Sequence, residues 1–166
     1  MTQTAFRIAG LSVVSALAVG VGSANAQLLT HKDLSIEMAT TIARAVLDTC
    51  KSQGYNVSVN VLGREGQVVL AARGDSAGFN TMENSMKKAY TARTMRRPSG
   101  EFADAVKDNP TAGALFLTNI VPARGALPIK VGDDVIGSVG VSGAPGGDKD
   151  EACAKAGIDK VSADLK

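Results

Sequence analysis

The sequence is poor in the residues that most often announce a site. It has one histidine, His31, and two cysteines, Cys50 and Cys153, with no Cys-x-x-Cys pair. Those shortages exclude a dedicated zinc site and a c-type haem attachment, both of which need clustered imidazole and sulfur donors. Excess charge of either sign is also missing, with 18 Lys and Arg against 16 Asp and Glu. Such a balance suits neither nucleic-acid phosphates nor a polybasic membrane contact. There is no Gly-x-Ser-x-Gly nucleophile motif and no Walker loop ending in Gly-Lys-Ser/Thr. Internal repeats, low-complexity tracts and linkers are absent as well. Long apolar runs occur only near the N-terminus, from Ile8 to Val21.

That run follows Arg7, the only charge before it, and precedes Ala24-Asn25-Ala26. A basic start, an apolar stretch and a small-x-small cleavage pattern predict a secretory signal peptide over 1–26. The run is rich in Gly and Ser and shorter than the ~20 apolar residues of a membrane anchor. Cleavage leaves a single domain over 27–166, 140 residues long, and takes the formal charge from +2 to +1. The expected location is periplasmic or secreted, with no membrane span after cleavage and no nucleic-acid partner. In an oxidising compartment Cys50 and Cys153 would be free to pair, but two buried thiols on helix faces read equally well. Both alternatives stay open here.

Along the mature chain the patterning alternates between two periods. Thr30-His31-Lys32-Asp33 reads as a capping box, and Leu34, Met38, Ile42 and Val46 then recur at helical spacing toward Gly54. NVSVNVLG (56–63) alternates in period two, Arg64-Glu65-Gly66 turns, and QVVLAAR (67–73) returns, a hairpin. Met82, Met86, Ala89, Tyr90, Arg93 and Thr94 mark a second helix, stopped by Pro98. A short third helix over 99–109 is expected to be capped by Ser99. TAGALFLTNIVPARG is ambiguous between a turn of helix and a short strand. ALPIKV (126–131) and VIGSVGVS (135–142) form a second hairpin, and the chain closes with a helix from about Asp148. This order lacks βαβ alternation, so an α+β layer with an antiparallel sheet is predicted.

The glycines of VIGSVGVSGAPGG pose a question. Gly137, Gly140 and Gly143 are spaced GxxGxxG, and the first two lie inside a strand, which does not match a dinucleotide fingerprint. Glycine within a strand marks close approach of another backbone, a second subunit or a ligand plane.

LPIKVGDDVIGSVGVSGAPGGDKDEACAKAGI resembles the C-terminal signature of the GlcG/HbpS/PduO-C family of haem-binding domains. ARAVLDTCKSQGYNVSVNVLGREGQVVLAAR, MKKAYTARTMRRPSGEFA and LLTHKDL agree with the same family, in order, over essentially all of 28–160. The chain departs from it at Gly74-Asp75-Ser76-Ala77, and at Leu62-Gly63, where the family's strand often carries Asp. The resemblance implies a profilin/PAS-like fold, a five-stranded antiparallel sheet flanked by helices, assembling into homo-oligomers. It implies haem binding for capture, storage or sensing, and a sensor or enzyme as partner. It assigns no catalytic residue. Two alternatives remain: a non-haem accessory factor to a periplasmic enzyme, or an enzyme acting on haem or a small organic substrate in a PAS-like pocket.

Haem iron takes an axial His, Met, Cys or Tyr, and its propionates take cations. His31 is the sole imidazole and the candidate metal ligand. Met86 and Tyr90, four apart on the second helix, share a face and are the other axial candidates. Arg93, Arg96 and Arg97, together with Lys87, are the candidate propionate partners. Each has an ordinary reading too: an exposed first-turn histidine, core methionine packing, and a basic helix end complementing the dipole.

Overall fold

Ser35 starts the first helix. Its hydroxyl accepts the Met38 N–H at 3.1 Å, and α1 runs Ile36–Ser52. The capping box expected at Thr30–Asp33 is therefore not used, because the Asp33 carboxylate is taken by the N–H groups of Leu34 and Arg64. The computed structural model describes residues 27–166, and the signal-peptide expectation for 1–26 lies outside them. After α1 come β1 (Ser58–Leu62), β2 (Val68–Arg73), α2 (Thr81–Met95), α3 (Ser99–Val106), β3 (Ala126–Val131), β4 (Asp134–Ser142) and α4 (Gly147–Lys160).

The sheet has four strands in the order β2-β1-β4-β3, every neighbouring pair antiparallel. The expected five strands are thus four among the described residues. The ambiguous segment makes a single 3₁₀ turn, Gly113–Phe116, and irregular chain up to β3. α3 ends three residues early, and Ser99 does not cap it; its hydroxyl accepts the Ala126 N–H at 3.0 Å and ties α3 to β3.

The two faces of the sheet differ in chemistry. Val57, Val59, Val61, Ile129, Val139 and Val141 bury one face with Ile42 and Val46 of α1 and Ala154 of α4. Cys50 and Cys153 form a disulfide across that layer, joining α1 to α4. The other face carries Ser58, Asn60, Ser138, Gly140 and Ser142, all buried. α2 docks there by hydrogen bonds: Ser58 with Thr81 at 2.7 Å, Asn60 with Ser85 at 2.8 Å, and Ser138 to the Ala89 carbonyl at 2.8 Å. Lys88 reaches past the strand to Asp150 of α4 at 2.7 Å and to the Val141 carbonyl at 3.1 Å. Burial raises the Asp150 carboxyl, opposed by the Lys88 ammonium.

The strand glycines are explained by this docking. A Cβ at Gly140 would stand 2.2 Å from the Ser85 carbonyl oxygen. One at Gly137 would stand 2.4 Å from the Leu62 carbonyl oxygen and 2.6 Å from Leu34 Cδ1. The close approach is to backbone of the same chain, helix on one side and strand on the other.

Candidate functional site

Both hairpin turns lie at one end of the sheet, because β1 and β3 each run antiparallel to β4 and finish beside its beginning. Packing brings two more elements to that end. Ser138 holds Ala89, which directs the C-terminal half of α2 there, and Leu34 seats the segment before α1 beside Gly137. Arg64, on the first turn, ties these pieces together. Its Nε donates to the Lys32 carbonyl at 2.8 Å, and its terminal nitrogens form a forked pair with the Asp134 carboxylate. The Arg64 hydrogen bond holds the Asp134 carboxyl below its ordinary value, and the same bond raises Arg64. Burial opposes ionisation of Asp33, but the N–H groups of Arg64 and Leu34 with the Gln67 side chain outweigh it, and the carboxyl is lowered. Gly63 leaves the room: a Cβ there would stand 3.1 Å from Asp33 Oδ1.

Beside this clamp is a hollow of about 140 Å³, lined by Arg64, Glu65, Gly66, Tyr90, Arg93 and Thr94. Gly66 has φ +77°, and a Cβ on it would come within 3.3 Å of the Tyr90 ring. The Arg93 Nε is buried and has no hydrogen-bond partner among the described residues. Burial lowers the Arg93 pKa, and the positive charges of Arg64 and Arg96 lower it further against Glu65 and Asp134. Arg96 ends α2 in left-handed backbone, φ 55°, a conformation costing an ordinary residue ~1–2 kcal/mol. An arginine without an internal acceptor among the described residues, with two further arginine charges acting on it, suits an anion.

Of the residues singled out in the sequence, Tyr90 and Arg93 line this hollow, and Arg96 is close enough for its charge to act on Arg93. Met86 is half-buried one turn earlier on the same helix. His31 is exposed at this end and lies near enough to Asp33 to favour its ionised form. Arg97 points away, its guanidinium 5.8 Å from the centre of the Phe102 ring on α3. Lys87 is paired with Glu83 at 2.6 Å. The sequence reading took Arg64-Glu65-Gly66 and the stretch holding Asp134 only as turns, and Asp33 only as part of a capping box. Hairpin register was the available signal, since two hairpins sharing a central strand pair put both turns at one end.

Larger grooves exist elsewhere. One of about 420 Å³ at the opposite end is flanked by Arg44, Lys51, Arg73, Asp48 and Asp75. Those charged side chains are exposed, and among the described residues the orphaned buried side-chain donor is Arg93, not any of these. No group of three or more His, Cys, Asp or Glu among the described residues is placed to hold a metal ion.

The family model described as haem degrading protein HbpS-like matches residues 34–159. Protein GlcG of Escherichia coli K12 is 32% identical over 111 residues, spanning 66% of this chain and 81% of GlcG. The crystal structure of HbpS superposes with a TM-score of 0.76 at 33% identity, covering 80% of this chain and 93% of HbpS. A PduOC–haem complex shares the fold, with a TM-score of 0.70 at 22% identity over 76% of this chain and 94% of that one. The extent of these matches, on an α+β layer with an antiparallel sheet, places the chain in the HbpS-like family of haem-degrading proteins.

Proposed function

We propose that the protein binds haem at the hairpin-turn end of its sheet, as an exported, self-associating haem-binding protein for capture, storage or sensing. The observation that carries this is the unpartnered Arg93 Nε, set among Arg64, Arg96 and Tyr90. The donor chemistry fits: imidazole, thioether and phenol for iron from His31, Met86 and Tyr90, and guanidinium for propionate from Arg93 and Arg96. The size fits only in part. A hollow of about 140 Å³ admits a propionate, whereas pockets enclosing a whole organic ligand run ~300–1,000 Å³. The hollow would hold a propionate through Arg93, and the rest of the haem would have to be held outside it, on a fold we read as profilin/PAS-like.

Bound haem would supply redox and ligand-exchange chemistry; the chain supplies position and charge. The relatives support haem as the ligand: the matching family is described as haem degrading, and PduOC was solved with haem. A disulfide and an N-terminal signal pattern support export, since disulfides persist in oxidising compartments. Self-association is supported by β2, an edge strand with Val68 half exposed, because unpaired edges template pairing.

Hemin titration tests the proposal. Wild-type protein should give a saturable Soret band at micromolar hemin. His31→Ala should move the band and weaken binding without abolishing it, because burial of the porphyrin face contributes independently of the iron. If His31→Ala leaves the band in place, Tyr90→Phe or Met86→Leu should move it instead. Absence of any saturable Soret change in the wild type overturns the proposal.

A further inference from the structure

We propose that the hollow beside Tyr90 is a seat for one oxyanion, a single carboxylate or phosphate group, with Arg93 as its donor and Arg64 and Arg96 as its flanking charges. The seat deepens the haem assignment if the oxyanion is a propionate, but its geometry does not depend on haem.

Size limits the occupant. About 140 Å³ between Arg64, Gly66, Tyr90 and Arg93 holds a head group and no more. Charge bears on it as well. The positive charges of Arg64 and Arg96 act on Arg93 against Glu65 and Asp134. Asp134 is taken up by the Arg64 side chain and Asp33 by the Arg64 N–H, which leaves Arg93 without a paired carboxylate among the described residues.

The three arginines play different parts. Arg64 has its Nε on the Lys32 carbonyl and its terminal nitrogens on Asp134, so it contributes a fixed wall and positive field. Among the described residues Arg93 makes no ion pair, and its Nε is buried with no acceptor. A guanidinium carries five N–H donors in a planar fork matched to carboxylate and phosphate oxygens; the Nε is closed off from solvent, so an oxyanion in the hollow would be met by the terminal nitrogens of Arg93. Arg96, in left-handed backbone at φ 55°, does not line the hollow but adds positive charge to Arg93. The Tyr90 ring packs over Gly66 and forms a side of the hollow.

Two measurements test the seat and separate its sources. First, inorganic phosphate is titrated into ¹⁵N-labelled protein while the arginine Nε–H signals are followed. A saturable shift of the Arg93 signal, with other arginine signals outside the cluster such as Arg44 unmoved, is expected. Loss of the response to phosphate elsewhere in the cluster in Arg93→Ala, and its retention in Arg44→Ala, is expected too. No saturable shift of the Arg93 signal overturns the seat, whatever hemin does.

Second, hemin is compared with hemin dimethyl ester, which keeps the porphyrin and iron but has no carboxylate. If a propionate fills the seat, the wild type binds hemin about tenfold tighter than the ester, and Arg93→Ala brings the two together. Equal binding of hemin and ester by the wild type overturns the propionate as occupant. A phosphate response that survives that result supports the seat with a free oxyanion as its ligand. A protein that shifts Arg93 with phosphate yet gives no Soret change keeps the seat and loses the haem assignment.

Discussion

A methyl group at position 140 would test how α2 meets the sheet. The Cβ of Gly140→Ala would lie 2.2 Å from the Ser85 carbonyl oxygen, 2.6 Å from the Ala89 nitrogen and 2.8 Å from Ala89 Cβ. Two of these are helix backbone atoms, which cannot rotate aside. Ordinary contact lies at ~3.5 Å, so the helix must withdraw by about 1 Å. That withdrawal stretches Ser138 to Ala89 (2.8 Å), Asn60 to Ser85 (2.8 Å) and Asn60 to Met82 (3.0 Å). Each such bond contributes ~0.5–1.5 kcal/mol net, and overpacking adds ~1–3 kcal/mol. The expected loss is about 3–6 kcal/mol out of a total stability of ~5–15 kcal/mol. Tm should fall by roughly 10–20 °C, measured by circular dichroism melting. Gly113→Ala is the control, because nothing lies within 4 Å of a Cβ there, and it should stay within ~0.5 kcal/mol of wild type. A Gly140→Ala protein melting within about 2 °C of wild type would refute the close-docking account.

Two further outcomes follow from the covalent and ionic ties. The Cys50–Cys153 bridge spans 103 residues, and chain-entropy loss for a loop of that length is up to about 4.7 kcal/mol. The double variant Cys50→Ala, Cys153→Ala should therefore melt well below wild type, and unchanged melting would sink the stabilising role. Mild reductant should leave the native protein alkylation-resistant, because both cysteines are fully buried. Asp33 and Asp134 are both held below their ordinary value of 3.8 in the folded chain. Their contribution is complete above that pH and is lost as pH falls through the depressed folded values, so the hairpin end should loosen below about pH 3.8. Asp134→Asn should flatten the acid limb of a Tm-against-pH curve; an identical limb in the variant would count against the Arg64 clamp.

Features whose cause is local were legible in the sequence. Alternation in NVSVNVLG and QVVLAAR, with Gly66 between them, defines a hairpin whatever else the chain does, and the second hairpin follows the same rule. Helical spacing from Leu34 to Val46 located α1, although its cap is Ser35, since Asp33 had a stronger use in the fold. α2 was located by Met82 and Met86, yet the residues it buries are Thr81, Ser85, Lys88, Ala89, Thr91 and Ala92. An apolarity count looks for a greasy face, and this helix lies on a sheet face made of serine, asparagine and glycine. The fifth strand came with the family resemblance, and the chain between α3 and β3 makes a 3₁₀ turn instead.

The candidate site divides along the same line. By itself the sequence determined that any haem ligand must come from one histidine or a few sulfurs and phenols, and that a basic stretch ends the second helix. Composition and short-range spacing are enough for that. Which arginines meet was decided only by the tertiary structure. Arg93 comes under the charges of Arg96 and of Arg64 on the first hairpin turn, while Arg97, adjacent to Arg96, turns to the Phe102 ring. The choice between paired and free cysteines was settled in the same way, by α1 crossing α4. Neighbours in space across the sheet are set by strand register and by how closely α2 can approach Gly140, and a linear pattern carries neither distance.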